Sequence, residues 1–137
     1  MTNRLFLDTA FIQAILNRRD KYHQSALKLL PLVKNAQEIW TTEAILMEVG
    51  NALSKFDRIK VVNFIKQCYT TENIKIVNIS SDVFREGLNL YESRQDKEWG
   101  LIDCISFSVM TKQNITDALT SDHHFTQAGF NALLISD

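Results

Sequence analysis

Apolar residues along this chain follow two alternating rhythms. Arg4-Leu5-Phe6-Leu7 is a short apolar run that stops at Asp8-Thr9, and Phe11, Ile12, Ile15 and Leu16 then repeat at helical spacing. The pattern predicts a strand, a turn and a helix. A second helix is expected over Tyr22 to Lys34, with Pro31 bending it or splitting it in two. Glu38 to Thr41 reads as a strand and Thr42 as the cap of a helix reaching about Lys55, with Ile45, Leu46, Val49, Ala52 and Leu53 as its apolar positions.

The rhythm repeats through the second half. Asp57 can cap a helix running through Cys68, and the β-branched stretch Ile74 to Ile79 predicts a strand. Ser80, Ser81 and Asp82 offer caps for a helix from Val83 to about Ser93, and the polar stretch Arg94 to Glu98 interrupts. Leu101 to Gln113 is apolar on nearly every side, which predicts a central helix. Ala118 to Thr120, His123 to Ala128 and Leu133 to Ile135 complete the series as strand, short helix and last strand. Strands alternating with helices imply an α/β three-layer sandwich, with a central, mainly parallel sheet of about five short strands flanked by helices. With no repeat or linker visible, residues 1–137 are expected to form one domain.

Composition narrows this picture. One proline and four glycines leave little material for turn-rich β folds or flexible linkers. Cys68 and Cys104 lie far apart in apolar helical patterns without zinc-site spacing, so buried reduced thiols are expected. Arg4 and Asp8 interrupt the first apolar run, so no secretory signal is expected, and no run is long enough to span a membrane. A cytoplasmic protein follows. Fifteen Lys plus Arg against 16 Asp plus Glu give a net charge of −1, which does not announce a nucleic-acid binder. Arg18, Arg19 and Lys21 form the nearest thing to a basic cluster, either a solvated turn or a backbone-holding patch.

Ligands of parallel α/β sheets bind beyond the carboxyl ends of the strands, and Asp8 and Asp122 are each the first acid after a strand. Each has a plain structural reading as a helix N-cap. Glu48 interrupts an apolar helix on the face of Ala44, Ile45 and Ala52, and its structural reading is a glutamate at the helix margin. Asp103, between Ile102 and Cys104, opens the most apolar helix, where the helix dipole alone favours a carboxylate. If all four converge, they repel and raise one another's pKa values unless cations intervene. Carboxylate oxygens suit Mg²⁺ or Mn²⁺, one or two ions, and such ions support phosphodiester hydrolysis by activated water.

In order, spacing and context, Leu5-Phe6-Leu7-Asp8-Thr9, the helical Glu48, Asp103 and Thr120-Ser121-Asp122-His123-His124-Phe125 resemble the PIN-domain family from about Arg4 to Ile135. The resemblance implies that Asp8, Glu48, Asp103 and Asp122 are catalytic metal ligands, that Thr9 lies near metal or phosphate, and that the substrate is RNA. It further implies a relation to small VapC-type toxins, which are held by an antitoxin protein and commonly form homodimers. One departure stands out: many relatives carry a further acid where this chain has His124. That ring either contacts phosphate or packs beside Phe125. Against the toxin reading stands a housekeeping RNA-processing nuclease, and against the nuclease reading a non-catalytic α/β binding module. A phosphotransfer enzyme is disfavoured because Asp8-Thr9-Ala10 lacks a second acid, and a dinucleotide enzyme because no glycine-rich loop follows the first strand.

Overall fold

A computed structural model describes residues 3–135. Five strands run in parallel: β1 (Arg4–Leu7), β2 (Glu38–Thr42), β3 (Ile74–Val77), β4 (Asp117–Leu119) and β5 (Asn131–Ala132). Their spatial order is β3-β2-β1-β4-β5. The chain therefore builds outward from β1 on one side, then returns to place β4 on the other. The β1/β4 boundary is the switch point at which open parallel sheets bind ligands.

Helices connect the strands. α1 (Thr9–Leu16), α2 (His23–Lys28), α3 (Leu30–Lys34), α4 (Glu43–Ala52) and α5 (Arg58–Thr70) belong to the first half, and α6 (Ser81–Ser93), α7 (Leu101–Gln113) and α8 (His123–Gln127) to the second. Pro31 lies in the first turn of α3, where its missing N–H costs nothing, so the expected break falls just before it. Thr42, Asp57 and Ser80 cap α4, α5 and α6 by accepting backbone N–H groups. Both cysteines are buried thiols. No helix among the described residues is long and apolar enough to cross a membrane.

Several boundaries differ from expectation, β4 by one residue at each end and three others for a visible reason. α4 stops at Ala52 rather than near Lys55, because Phe56 and Asp57 turn back onto the Leu53 carbonyl and free Asp57 to cap α5. β3 ends at Val77, and the Ile79 amide instead donates to the Glu43 carboxylate at 2.8 Å. The last strand is Asn131–Ala132, not Leu133 to Ile135. Leu133 still donates to the Ala118 carbonyl, but the Ile135 amide closes a turn onto Ala132 and ends the ladder.

The central helix behaves as its apolar circumference requires. Cys104, Ile105, Ser106, Phe107, Val109 and Met110 of α7 are buried. α6 presses against it at Gly87, where a Cβ would stand 2.4 Å from Ile105 Cγ1 and 3.1 Å from its Cα. On another side Phe107 meets Trp99 and Phe125 edge-on, with ring centroids 5.0 and 4.9 Å apart, and Phe125 reaches Phe6 of β1. This aromatic wedge locks the starts of α7 and α8 to β1, and those starts carry Asp103 and Asp122.

Candidate active site

Asp8 follows β1 and occupies the N-cap position of α1, yet its carboxylate makes no capping hydrogen bond. It instead accepts the Thr120 hydroxyl at 2.7 Å, inside the protein. Parallel register explains the pairing: Leu7 faces Leu119, so the next residues, Asp8 and Thr120, leave the sheet side by side. Burial is the main force raising the Asp8 carboxyl from its ordinary 3.8 to about 7, with the Asp103 and Glu48 charges adding to it against hydrogen bonds from Thr120 and the Thr9 amide.

Glu48 reaches the same place from α4. It is half-buried at the helix margin and accepts a short hydrogen bond from the Thr9 hydroxyl. Of the residues expected to share its face, Ala44 and Ile45 are buried and Ala52 is exposed. Thr9, expected near metal or phosphate, therefore uses its hydroxyl to hold Glu48.

Asp103 sits in the first turn of α7, where its Oδ2 accepts the Gly100 amide at 3.2 Å. Its carboxyl is raised above the ordinary range, first by burial and next by the Asp122 charge, against lowering contacts from His124 and the Gly100 amide. Asp122 does serve as an N-cap, accepting the His124 amide at 2.9 Å. Its own amide donates to Thr120 Oγ1 at 3.0 Å, so one hydroxyl couples Asp8 to Asp122.

The four acids thus come from four separate segments and meet at the carboxyl edge of the sheet. Thr9, Thr120 and His124 bridge them: Thr9 holds Glu48, Thr120 joins Asp8 to Asp122, and the His124 ring lies against both Asp122 and Asp103. Thr120 was not singled out from sequence. Its signal was available, a hydroxyl residue ending a strand two positions before an acid. Ser106, one turn along α7 from Asp103, has a buried Oγ without a hydrogen-bond partner among the described residues. Packing beside Phe125 does not describe His124, whose ring belongs to the acid cluster.

Among the described residues no lysine or arginine forms an ion pair with any of the four acids. Four carboxylates without a lysine or arginine partner, the Asp8 and Asp103 carboxyls raised by burial, offer hard oxygen donors that fit a small divalent cation.

A family model described as the PIN domain matches residues 5–131. The chain belongs to the PIN-domain family. It is 23% identical over 126 residues to the 23S rRNA-specific endonuclease VapC20 of Mycobacterium tuberculosis, a match covering 92% of this chain and 95% of that protein. The crystal structure of that VapC20, described as a Sarcin-Ricin loop cleaving toxin, superposes with a TM-score of 0.81 at 22% identity, covering 92% of this chain and 95% of the other. FitAcB from Neisseria gonorrhoeae gives a TM-score of 0.63 at 13% identity, covering 93% and 95%. VapBC2 from Rickettsia felis, solved bound to a DNA fragment from their promoter, gives 0.59 at 21% identity, covering 94% and 96%. These likenesses agree on the parallel sandwich.

Proposed function

We propose that this PIN-domain chain is a Mg²⁺- or Mn²⁺-dependent endoribonuclease and the toxin of a toxin–antitoxin pair. The observation that carries the reading is the buried Asp8, whose carboxyl is raised to about 7 beside Glu48 and Asp103, with no lysine or arginine among the described residues paired to any of the three. A fold optimised for stability alone would replace or pair such a group. Its persistence at the sheet's switch point is understandable if a divalent ion completes the site.

In this reading Asp8, Glu48, Asp103 and Asp122 hold the ion. Once bound, it would supply Lewis acidity toward a phosphoryl oxygen and make water a competent nucleophile at neutral pH. The chain's own part is preorganisation. Thr120 orients Asp8, Thr9 orients Glu48, and the Gly100 amide fixes Asp103 before substrate arrives. Water rather than the RNA 2′-hydroxyl attacks, so the products carry 5′-phosphate and 3′-hydroxyl ends.

The family relation and the named substrate of the VapC20 relative support ribosomal RNA as the first substrate to test. Two exposed apolar faces support protein partners: Ile59, Val62 and Tyr69 on α5, and Phe84, Leu88 and Tyr91 on α6. An antitoxin and a second copy of the chain are the occupants this reading assigns to such surfaces.

The deciding experiment incubates end-labelled 23S rRNA with the purified chain and identifies the product ends. Cleavage is expected with Mg²⁺ or Mn²⁺, to vanish in EDTA, and to vanish in Asp8→Asn. Cyclic 2′,3′-phosphate ends or undiminished cleavage in EDTA would overturn the chemistry. Expression alone should arrest bacterial growth and co-expression of the neighbouring small gene should relieve it. Unimpaired growth with an active nuclease would favour RNA processing instead.

A further inference from the structure

His124 contacts the acid cluster in three ways. Its backbone amide donates to Asp122 Oδ1 at 2.9 Å, its ring Nδ1 lies 3.4 Å from that same oxygen, and Nδ1 lies 3.1 Å from Asp103 Oδ2. The ring is only one-fifth exposed, and His123 lies against it with ring centroids 4.6 Å apart. A neutral imidazole with its proton on Nδ1 can make both ring contacts. The edge of that ring therefore fills the space between the third and fourth acids.

A divalent ion shared by Asp103 and Asp122 would need that same space, since Mg²⁺ sits about 2.1 Å from each oxygen and demands a full octahedron of donors. The other end of the cluster differs. Asp8 and Glu48 are held by threonine hydroxyls, no ring nitrogen contacts either among the described residues, and the fields of Glu48 and Asp103 both reach Asp8. The two ends are thus held differently, one by threonine hydroxyls and the other by an imidazole.

Resting on the metal-dependent reading above, we propose that His124 stands in for a second metal ion. The site then takes one divalent cation rather than two, and the imidazole holds Asp103 and Asp122 in position toward it. His124 is thus a positioning residue that sets metal stoichiometry.

The test is a Mn²⁺ titration of the intact chain, with bound ion counted by electron paramagnetic resonance and heat by calorimetry. The wild type should bind one ion. His124→Asp, which trades the ring for another carboxylate, should bind two. His124→Ala should keep one ion at roughly 10-fold weaker affinity or worse, as expected when an orienting partner of metal ligands is lost. His124→Asn, which retains a donor, should recover most of that loss. Circular dichroism confirms that each variant is folded. Two ions on the wild type, one on a folded His124→Asp, or unchanged affinity in His124→Ala would each overturn the proposal. A wild type that binds no Mn²⁺ would instead remove the metal-dependent reading itself, so the two failures are distinguishable.

Discussion

The two ends of strand β1 carry charge in opposite ways. At the amino end, Arg4 Nε donates to Glu38 at 2.9 Å, Trp40 donates to the same oxygen at 3.0 Å, and a second Arg4 nitrogen reaches the Gln113 carbonyl at 2.6 Å. The Trp40 and Arg4 hydrogen bonds hold the Glu38 carboxyl below its ordinary range. At the carboxyl end, Asp8 has a hydroxyl, an amide and the charges of Asp103 and Glu48 for company, and its carboxyl is pushed up, mainly by burial. A cavity lies at the amino end instead. An open depression of about 730 Å³ lies against Arg4, Gln37, Glu38, Glu72, Asn73 and Lys75, where the charges are largely balanced. Unbalanced charge is the better guide to chemistry, because a stable fold has no reason to keep it.

The largest expected effect separates the two ends by activity. Asp8→Asn, Glu48→Gln, Asp103→Asn or Asp122→Asn should each lower ribonuclease turnover by on the order of 10²–10³-fold or more, as loss of preorganised electrostatics does elsewhere. Glu38→Gln should leave it within about twofold, since surface changes remote from a site seldom do more. Single-turnover cleavage at saturating Mg²⁺ measures both, and an active Asp103→Asn would remove that residue from the site.

Stability should respond next, and in opposite directions. The folded-state pKa of Asp8, about 7, lies above its ordinary 3.8, so between those values the folded protein holds a proton that the unfolded chain has released. Metal-free stability therefore falls as pH rises from about 4 through 7 and levels off above, by at most on the order of 4 kcal/mol. Asp103 acts in the same direction. Asp8→Asn, whose amide oxygen can still accept the Thr120 hydroxyl, should flatten the profile and stabilise the metal-free protein at pH 8. Urea denaturation in EDTA across this range is the measurement, and a wild-type profile that rises toward pH 8 would contradict the assigned burial.

Adding Mn²⁺ at a hundredfold above its Kd should restore about 2.7 kcal/mol at pH 8. The same addition should do little for Asp8→Asn. Thermal melts with and without Mn²⁺ decide this, and equal shifts in both proteins would place the ion elsewhere.

A lesion away from both ends serves as control. Gly87→Ala forces a methyl group against Ile105, side chain and backbone alike, and should cost about 1–3 kcal/mol through overpacking. It should leave specific activity per folded molecule intact. The smallest effect belongs to the amino end: Glu38→Gln keeps an acceptor for Trp40 but loses the ion pair with Arg4, a part-exposed contact that solvent screens, so the urea midpoint should move less than in any other variant.

Much of this was legible before any coordinates. Apolar runs ending at Asp8 and near Thr120, helical spacing between them and caps at Thr42, Asp57 and Ser80 reflect local preferences that need only a few neighbouring residues. They located four of the strands and the parallel alternation, and misplaced ends where a distant partner intervened, as when Glu43 captures the Ile79 amide. The acids themselves were legible as types at positions. Their roles were not, because Asp8 and Asp122 look alike along the chain, both first acids after strands and both candidate caps. Only the sheet order, by setting β4 beside β1, gives Asp8 the Thr120 hydroxyl in place of a capping bond while Asp122 keeps its cap. The same holds for Thr9, Thr120 and His124: each bridges residues brought together from distant segments. Helix spacing and strand period are encoded locally, whereas burial and the field felt by a charge depend on what the fold packs around it.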